Sequence, residues 1–131
     1  MAYENLTKVL SWPAVGNLSS FQFYPVTLIT SSTFPDGAIT TISSTATKPV
    51  GVLQDAPDAA GVMGAVCIEG VSKVLCYTGT VAVLDAIGVD TSSRGAVTTT
   101  DNQWIVGTAL EKANDANVNT YLTVDVNIGR Y

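Results

Sequence analysis

The segment Thr120-Tyr121-Leu122-Thr123-Val124-Asp125-Val126-Asn127-Ile128 decides the fold. Leu122, Val124, Val126 and Ile128 alternate with Tyr121, Thr123, Asp125 and Asn127. Side chains of a strand point to opposite faces in turn, so this period of two gives one apolar and one polar face. Upstream, Gln103 to Leu110 reads as a second strand, with Trp104 and Val106 on one side and Ile105 on the other. Being apolar on both sides, it belongs inside a sheet or at an interface. Val and Thr are the commonest residues, and short Val/Thr runs alternate with Gly, Pro, Asn and Asp. β-branching disfavours helix and suits a pleated surface, so the expectation is an all-β domain.

Two hairpins follow from turn chemistry. Phe34-Pro35-Asp36-Gly37 joins Val26–Thr30 to Ala38–Ile42: Pro fixes φ, Asp bonds its own backbone, and Gly accepts a positive φ. Val62–Glu69 and Val71–Thr78 read as a second hairpin turning at Glu69-Gly70. In that register Cys67 faces Ser72, and Cys76 lies four residues farther along, roughly 13 Å away at ~3.3 Å per residue. A disulfide needs Cα atoms within about 7 Å, so both thiols are expected to be free. Helix is expected only in short pieces: Glu4–Leu10, where Leu6, Val9 and Leu10 have i, i+3, i+4 spacing, and single turns at Pro57–Ala60, Leu84–Ile87 and Ala109–Ala113. Trp12-Pro13 would end the first.

The chain has 131 residues, about one domain, and divides softly near Pro49. Residues 1–48 read as an aromatic-rich N-terminal arm and hairpin, and residues 49–131 as a compact β body. The two are expected to form one structural unit, since 48 residues rarely bury enough surface alone. The arm carries Tyr3, Leu6, Val9, Leu10 and Trp12, followed by Phe21, Phe23 and Tyr24. Fully burying a large apolar side chain is worth ~1.5–3 kcal/mol, so these groups need a seat. Two are open: the chain's own sheet, or a neighbouring subunit or other protein.

Composition excludes several function classes. Six basic and eleven acidic residues give a net charge of −5, against nucleic-acid binding, which draws on Lys and Arg. No apolar run of ~18 residues is present to span a bilayer. The chain has no histidine, which removes Ser-His-Asp and Cys-His nucleophiles and His-ligated metal. The first residues show no basic region followed by an apolar run, so no secretory signal is expected. Gly61-Val62-Met63-Gly64 lacks the Lys-Ser/Thr of a phosphate loop. Asp55 and Asp58 flank Pro57 and read as a polar turn, with a carboxylate pair for hydrolysis as the competing reading. Asp85 and Asp90 read as turn residues, and Trp104 as core or interface, with a sugar-stacking platform as its alternative. The expectation is no enzyme, no cofactor and no metal. Charged residues are only 13% of the chain, too few to guard strand edges with Lys and Glu. One way out is burial of those edges in an oligomer or a permanent assembly.

From Lys48 the order of features resembles a known family. Lys48-Pro49-Val50-Gly51-Val52-Leu53-Gln54-Asp55-Ala56 leads to Ala59-Ala60-Gly61, then Val66-Cys67-Ile68-Glu69-Gly70-Val71. Arg94-Gly95-Ala96-Val97 and Ile105-Val106-Gly107-Thr108-Ala109-Leu110 follow. This is similar to the small capsid decoration, or cement, proteins of tailed bacteriophages, in the group with a β-tulip-like domain. The resemblance implies a compact β-sandwich or partly open barrel without catalytic activity, made in the host cytoplasm and bound to the outer surface of the expanded phage head. It implies the major capsid protein as partner and a homo-oligomer, a trimer or else a dimer, with neither nucleic acid nor membrane involved. Gly51, Gly61, Gly70 and Gly107 match its glycines and would serve turns and close strand contacts. The arm lies outside the pattern. A carbohydrate-binding or adhesive β module, built on Trp104 and the Ser/Thr-rich face, is the alternative, and a small hydrolase using Asp55 and Asp58 ranks last.

Overall fold

A computed structural model describes residues 5–77, 79–113 and 119–131, with side chains from residue 8 onward. All regular elements among them are strands. In chain order they are β1 (Asn5–Pro13), β2 (Pro25–Ile29), β3 (Ala38–Thr41), β4 (Gly51–Leu53), β5 (Met63–Cys76), β6 (Ala86–Val89), β7 (Gly95–Val97), β8 (Trp104–Ala109) and β9 (Thr120–Arg130).

The hydrogen-bonding order makes two rings that share β5. In the first, β5 pairs β7, then β6, β8 and β9 follow, and β9 returns to β5 over Glu69–Cys76. In the second, β5 pairs β4, then β2 and β3, and one bridge between Ile39 and Ala14 leads back to β1, which pairs β5 antiparallel. The architecture is therefore all-β, a partly open barrel. Each ring encloses its own core. Val74, Ile87, Val106, Leu122, Val124 and Val126 fill the first, and Ala14, Leu18, Val26, Ile39, Leu53 and Val66 fill the second. Ser93 straps the two together. Its buried hydroxyl donates to the Pro25 carbonyl at 2.6 Å and accepts from the Ile42 amide at 2.9 Å.

The hairpin at Phe34–Gly37 forms as expected. Ile29 pairs Ala38, Gly37 has φ 106°, and its amide donates to the Phe34 carbonyl. The final strand also forms, with Leu122, Val124 and Val126 buried and Tyr121, Asp125 and Asn127 exposed. Thr123 departs from the polar face: it is buried, and its amide donates to Glu111 Oε1 at 2.7 Å.

The expected turn at Glu69-Gly70 is absent. Both flanks belong to the single 14-residue strand β5. Gly70 does take a positive φ, 121°, but it marks a handover between partners rather than a reversal. Before it β5 lies between β1 and β4, and beyond it β5 runs along β9. Both cysteines are free, as expected. The reason is different: they stand nine residues apart on one strand, roughly 30 Å at ~3.3 Å per residue. The expected helix at Glu4–Leu10 is also corrected, because residues from Asn5 onward form β1. Three apolar residues at helical spacing count for less than a ladder of backbone bonds to β5, especially with β-branched Thr7 and Val9 in the run. None of the other three expected helical turns is a helix, and Ala86 and Ile87 belong to β6.

Gly107 shows how closely the first ring is drawn. A Cβ there would overlap the Asp125 carbonyl oxygen and lie 3.0 Å from the Val126 Cα, both rigid backbone. Gly16 has open space around it. Gly107→Ala is therefore expected to cost about 3 kcal/mol and to lower the thermal midpoint by about 10 °C. Gly16→Ala should leave it within a degree or two. Thermal melts followed by circular dichroism compare them.

Candidate functional site

An open apolar groove of about 650 Å³ lies on the surface. Leu10 and Trp12 of β1 form one wall and Thr27 and Leu28 of β2 another. Pro49, Val50, Ile68 of β5 and Ile128 of β9 complete it, with Lys48 at its rim. Five separate stretches of sequence build this surface. The strand ladders bring them together: Leu10 pairs Val66 in register, and Val26, one residue before Thr27, pairs Gly51. Leu10 remains 45% exposed, which is unusual for a Leu on a sheet face with a core so near.

Lys48 connects the groove to Trp104. Its Nζ lies 5.0 Å from the Trp104 ring centroid, and the Arg130 guanidinium carbon lies 4.1 Å from the same centroid. Two of the six basic residues thus sit on one ring. Arg130 and Trp104 face each other across β8 and β9, and Arg130 Nη1 donates to the Asn102 carbonyl at 3.1 Å. They line a smaller, more polar cavity of about 290 Å³ that also includes Asp101 and Gln103. No ion pair to Lys48 or Arg130 occurs among the described residues. Arg94, in contrast, pairs with Asp90 at 2.9 Å.

The other candidate residues are dispersed. Tyr3 lies outside the described residues, and of Leu6 only the backbone, opposite Gly70, is described. Val9 is 40% exposed and alternates with Leu10, so it points away from the groove. Phe21 packs on the second core and meets Tyr24 edge-on at 4.9 Å. Phe23 meets Tyr121 edge-on at 5.9 Å, with Lys73 Nζ 5.2 Å from its ring. The arm's own seat is visible in its backbone: β1 is hydrogen-bonded to β5 of the same chain. Of the described side chains in the aromatic and aliphatic set, Leu10 and Trp12 join in the groove. Among the glycines, Gly51 lies against the Cys67 backbone, Gly61 sits in a turn with φ 84°, and its amide donates to the Ala14 carbonyl.

Asp55, Asp85 and Asp90 hold backbone amides. Asp55 Oδ1 accepts from the Ala65 amide at 3.1 Å, and Asp85 Oδ2 from the Ala82 amide at 2.8 Å. Asp90 Oδ1 accepts from the amides of Ser92 and Arg94. Asp58 is exposed beside buried Pro57. Among the described residues no three metal-ligating side chains gather. No helix of the described chain is long and apolar enough to cross a membrane.

No family model matches the chain, and no curated protein matches it. Its fold does match a solved structure, the head fiber gp8.5 N base of bacteriophage phi29. The match has a TM-score of 0.67 and 15% identity and covers 92% of this chain and 95% of that one. The two share a fold over nearly their whole lengths.

Cys76 is one of two buried thiols. Burial pushes its thiol up from 9.0 to about 12, and the Asp90 carboxylate adds to the rise. The folded chain therefore keeps the proton after the unfolded chain has released it. Stability drawn from this group is complete below pH 9 and is lost as pH rises from about 9 to about 12. Denaturant titrations at pH 8, 10 and 11 should show a steeper loss for the wild type than for Cys76→Ala. At pH 8 a thiol reagent should label Cys76 about a hundredfold more slowly than in denaturant.

Proposed function

We propose that this chain is a virion structural protein of a bacteriophage, seated on the outer surface of the head as a decoration, or cement, protein without catalytic activity. The observation that carries this reading is the shared fold with the base of a phage head fiber across 92% of the chain. Fold by itself leaves function open, so the surface must agree. It does: 13% charged residues, an open apolar groove, and Asp55 and Asp85 carboxylates bonded to backbone amides suit a body that is docked rather than one that turns over substrate. The partner is the major capsid protein, and the chain docks as a homotrimer after the shell has expanded.

The mechanism is mass action. A protein that binds the assembled shell, and not its separated subunits, stabilises the assembly. Individual contacts can be weak, because a trimer that engages three neighbours gains avidity. The sugar-binding alternative loses its platform: the Arg130 guanidinium stands over the Trp104 ring at 4.1 Å, where a sugar face would stack.

Undecorated expanded heads of the encoding phage, mixed with purified protein and imaged by electron cryomicroscopy, should show added density at regular lattice sites. Such heads should also resist heating better than untreated ones. Light scattering should give three times the chain mass of 13.6 kDa. Heads that stay bare at micromolar protein would refute the docking, and a 13.6 kDa particle would refute the trimer.

A further inference from the structure

We propose that the groove between β1 and β2 binds a short polypeptide segment that presents apolar side chains to Leu10, Trp12 and Val50 and a carboxylate to Lys48 and Arg130. The inference takes its biological setting from the proposed seat on a phage head, where the segment would come from the shell.

Charge complementarity selects the occupant. The chain carries −5 overall, yet Lys48 at the rim of the apolar groove and Arg130 of the smaller polar cavity both lie against one indole, that of Trp104. Both side chains are exposed, and neither meets a carboxylate at ion-pair distance among the described residues. Asp101 borders the smaller cavity with Arg130 and is not among the residues that line the groove. Trp104 holds both cations near its ring, which limits their freedom before anything binds. An acidic group arriving at the rim is drawn in by two positive charges, and no Asp or Glu lines the groove itself. The apolar part of the occupant then covers half-buried Trp12, Leu28, Val50 and Ile68 and exposed Leu10. A groove of about 650 Å³ has room for a few side chains rather than a folded domain. Its open shape suits a backbone lying along it better than a lipid tail, which needs an enclosed tunnel. Apolar contact supplies the affinity, and the charge pair fixes direction and register.

A random dodecapeptide display library, panned on the immobilised full chain, tests this without heads. The enriched peptides should pair aliphatic or aromatic residues with Asp or Glu. Their affinity should fall about tenfold or more on Lys48→Ala/Arg130→Ala. It should stay unchanged on Lys112→Ala, an exposed lysine elsewhere. Both altered side chains are exposed, and circular dichroism checks that the fold is kept. Amide shifts in NMR spectra should cluster at Leu10, Leu28, Val50 and Ile68. Enrichment without an acidic bias, affinity indifferent to the double variant, or no enriched peptide at all would overturn the inference, as would binding of laurate in place of any peptide. Wild-type binding to heads is scored separately, so bare heads with peptide binding intact would count against the proposed seat and not against the groove.

Discussion

Everything in this molecule takes its position from β5. One strand serves two rings because its two halves are paired differently on either side of Gly70. A residue with a side chain would be strained at φ 121°, and the register shifts in β1 near Lys8 fall opposite this point. The result is a pair of cores with a common wall. Ser93 adds a second tie between them. Without its hydroxyl, the Ile42 amide and the Pro25 carbonyl would lose their partner inside the protein, and an unsatisfied buried group costs about 1–3 kcal/mol. A chain with few charges is held in this way by ladders, a shared strand and the Ser93 tie.

What could be read beforehand were the features set by near neighbours. Pro35, Asp36 and Gly37 each act on their own backbone, so the hairpin could be derived from four letters. The alternation from Tyr121 to Ile128 carries its own face assignment. Free thiols were also legible, though through a register that does not exist. Glu69-Gly70 misled because a glycine with positive φ serves a turn and a bend in a strand equally well, and only the partner strands decide between them. β1 misled for a related reason. Its apolar residues fit helical spacing over a span too short to discriminate, and the ladder to β5 that settles the matter lies sixty residues away in sequence.

The groove was legible only in fragments. Leu10 and Trp12 could be singled out as apolar groups in need of a seat. Nothing local joins them to Leu28, Val50, Ile68 and Ile128, which arrive through three different ladders. Lys48 and Trp104 were both visible, one as the start of a motif and the other as a strand aromatic. Their contact depends on where β8 and β9 end, and side-chain stacking across such a distance leaves no periodicity to find.

The same contact bears on what the surface is for. Two cations held near one ring repel each other, and the negative face of the indole offsets that repulsion only by about 0.5–1 kcal/mol per cation at an exposed site. A protein selected to live alone with five surplus acids would have an inexpensive remedy, a carboxylate placed between them. Among the described residues no carboxylate stands at ion-pair distance from either cation, whereas Asp90 is occupied by Arg94 and by two backbone amides. Among the described residues the arrangement leaves an unneutralised pair beside an open apolar groove. Both defects are relieved by one event, the arrival of a chain that is apolar along its length and acidic at one point. Coupling of the two makes the groove selective: an apolar segment without the acid leaves the cations unpaired, and an acid without the apolar segment leaves Leu10 and Trp12 in water.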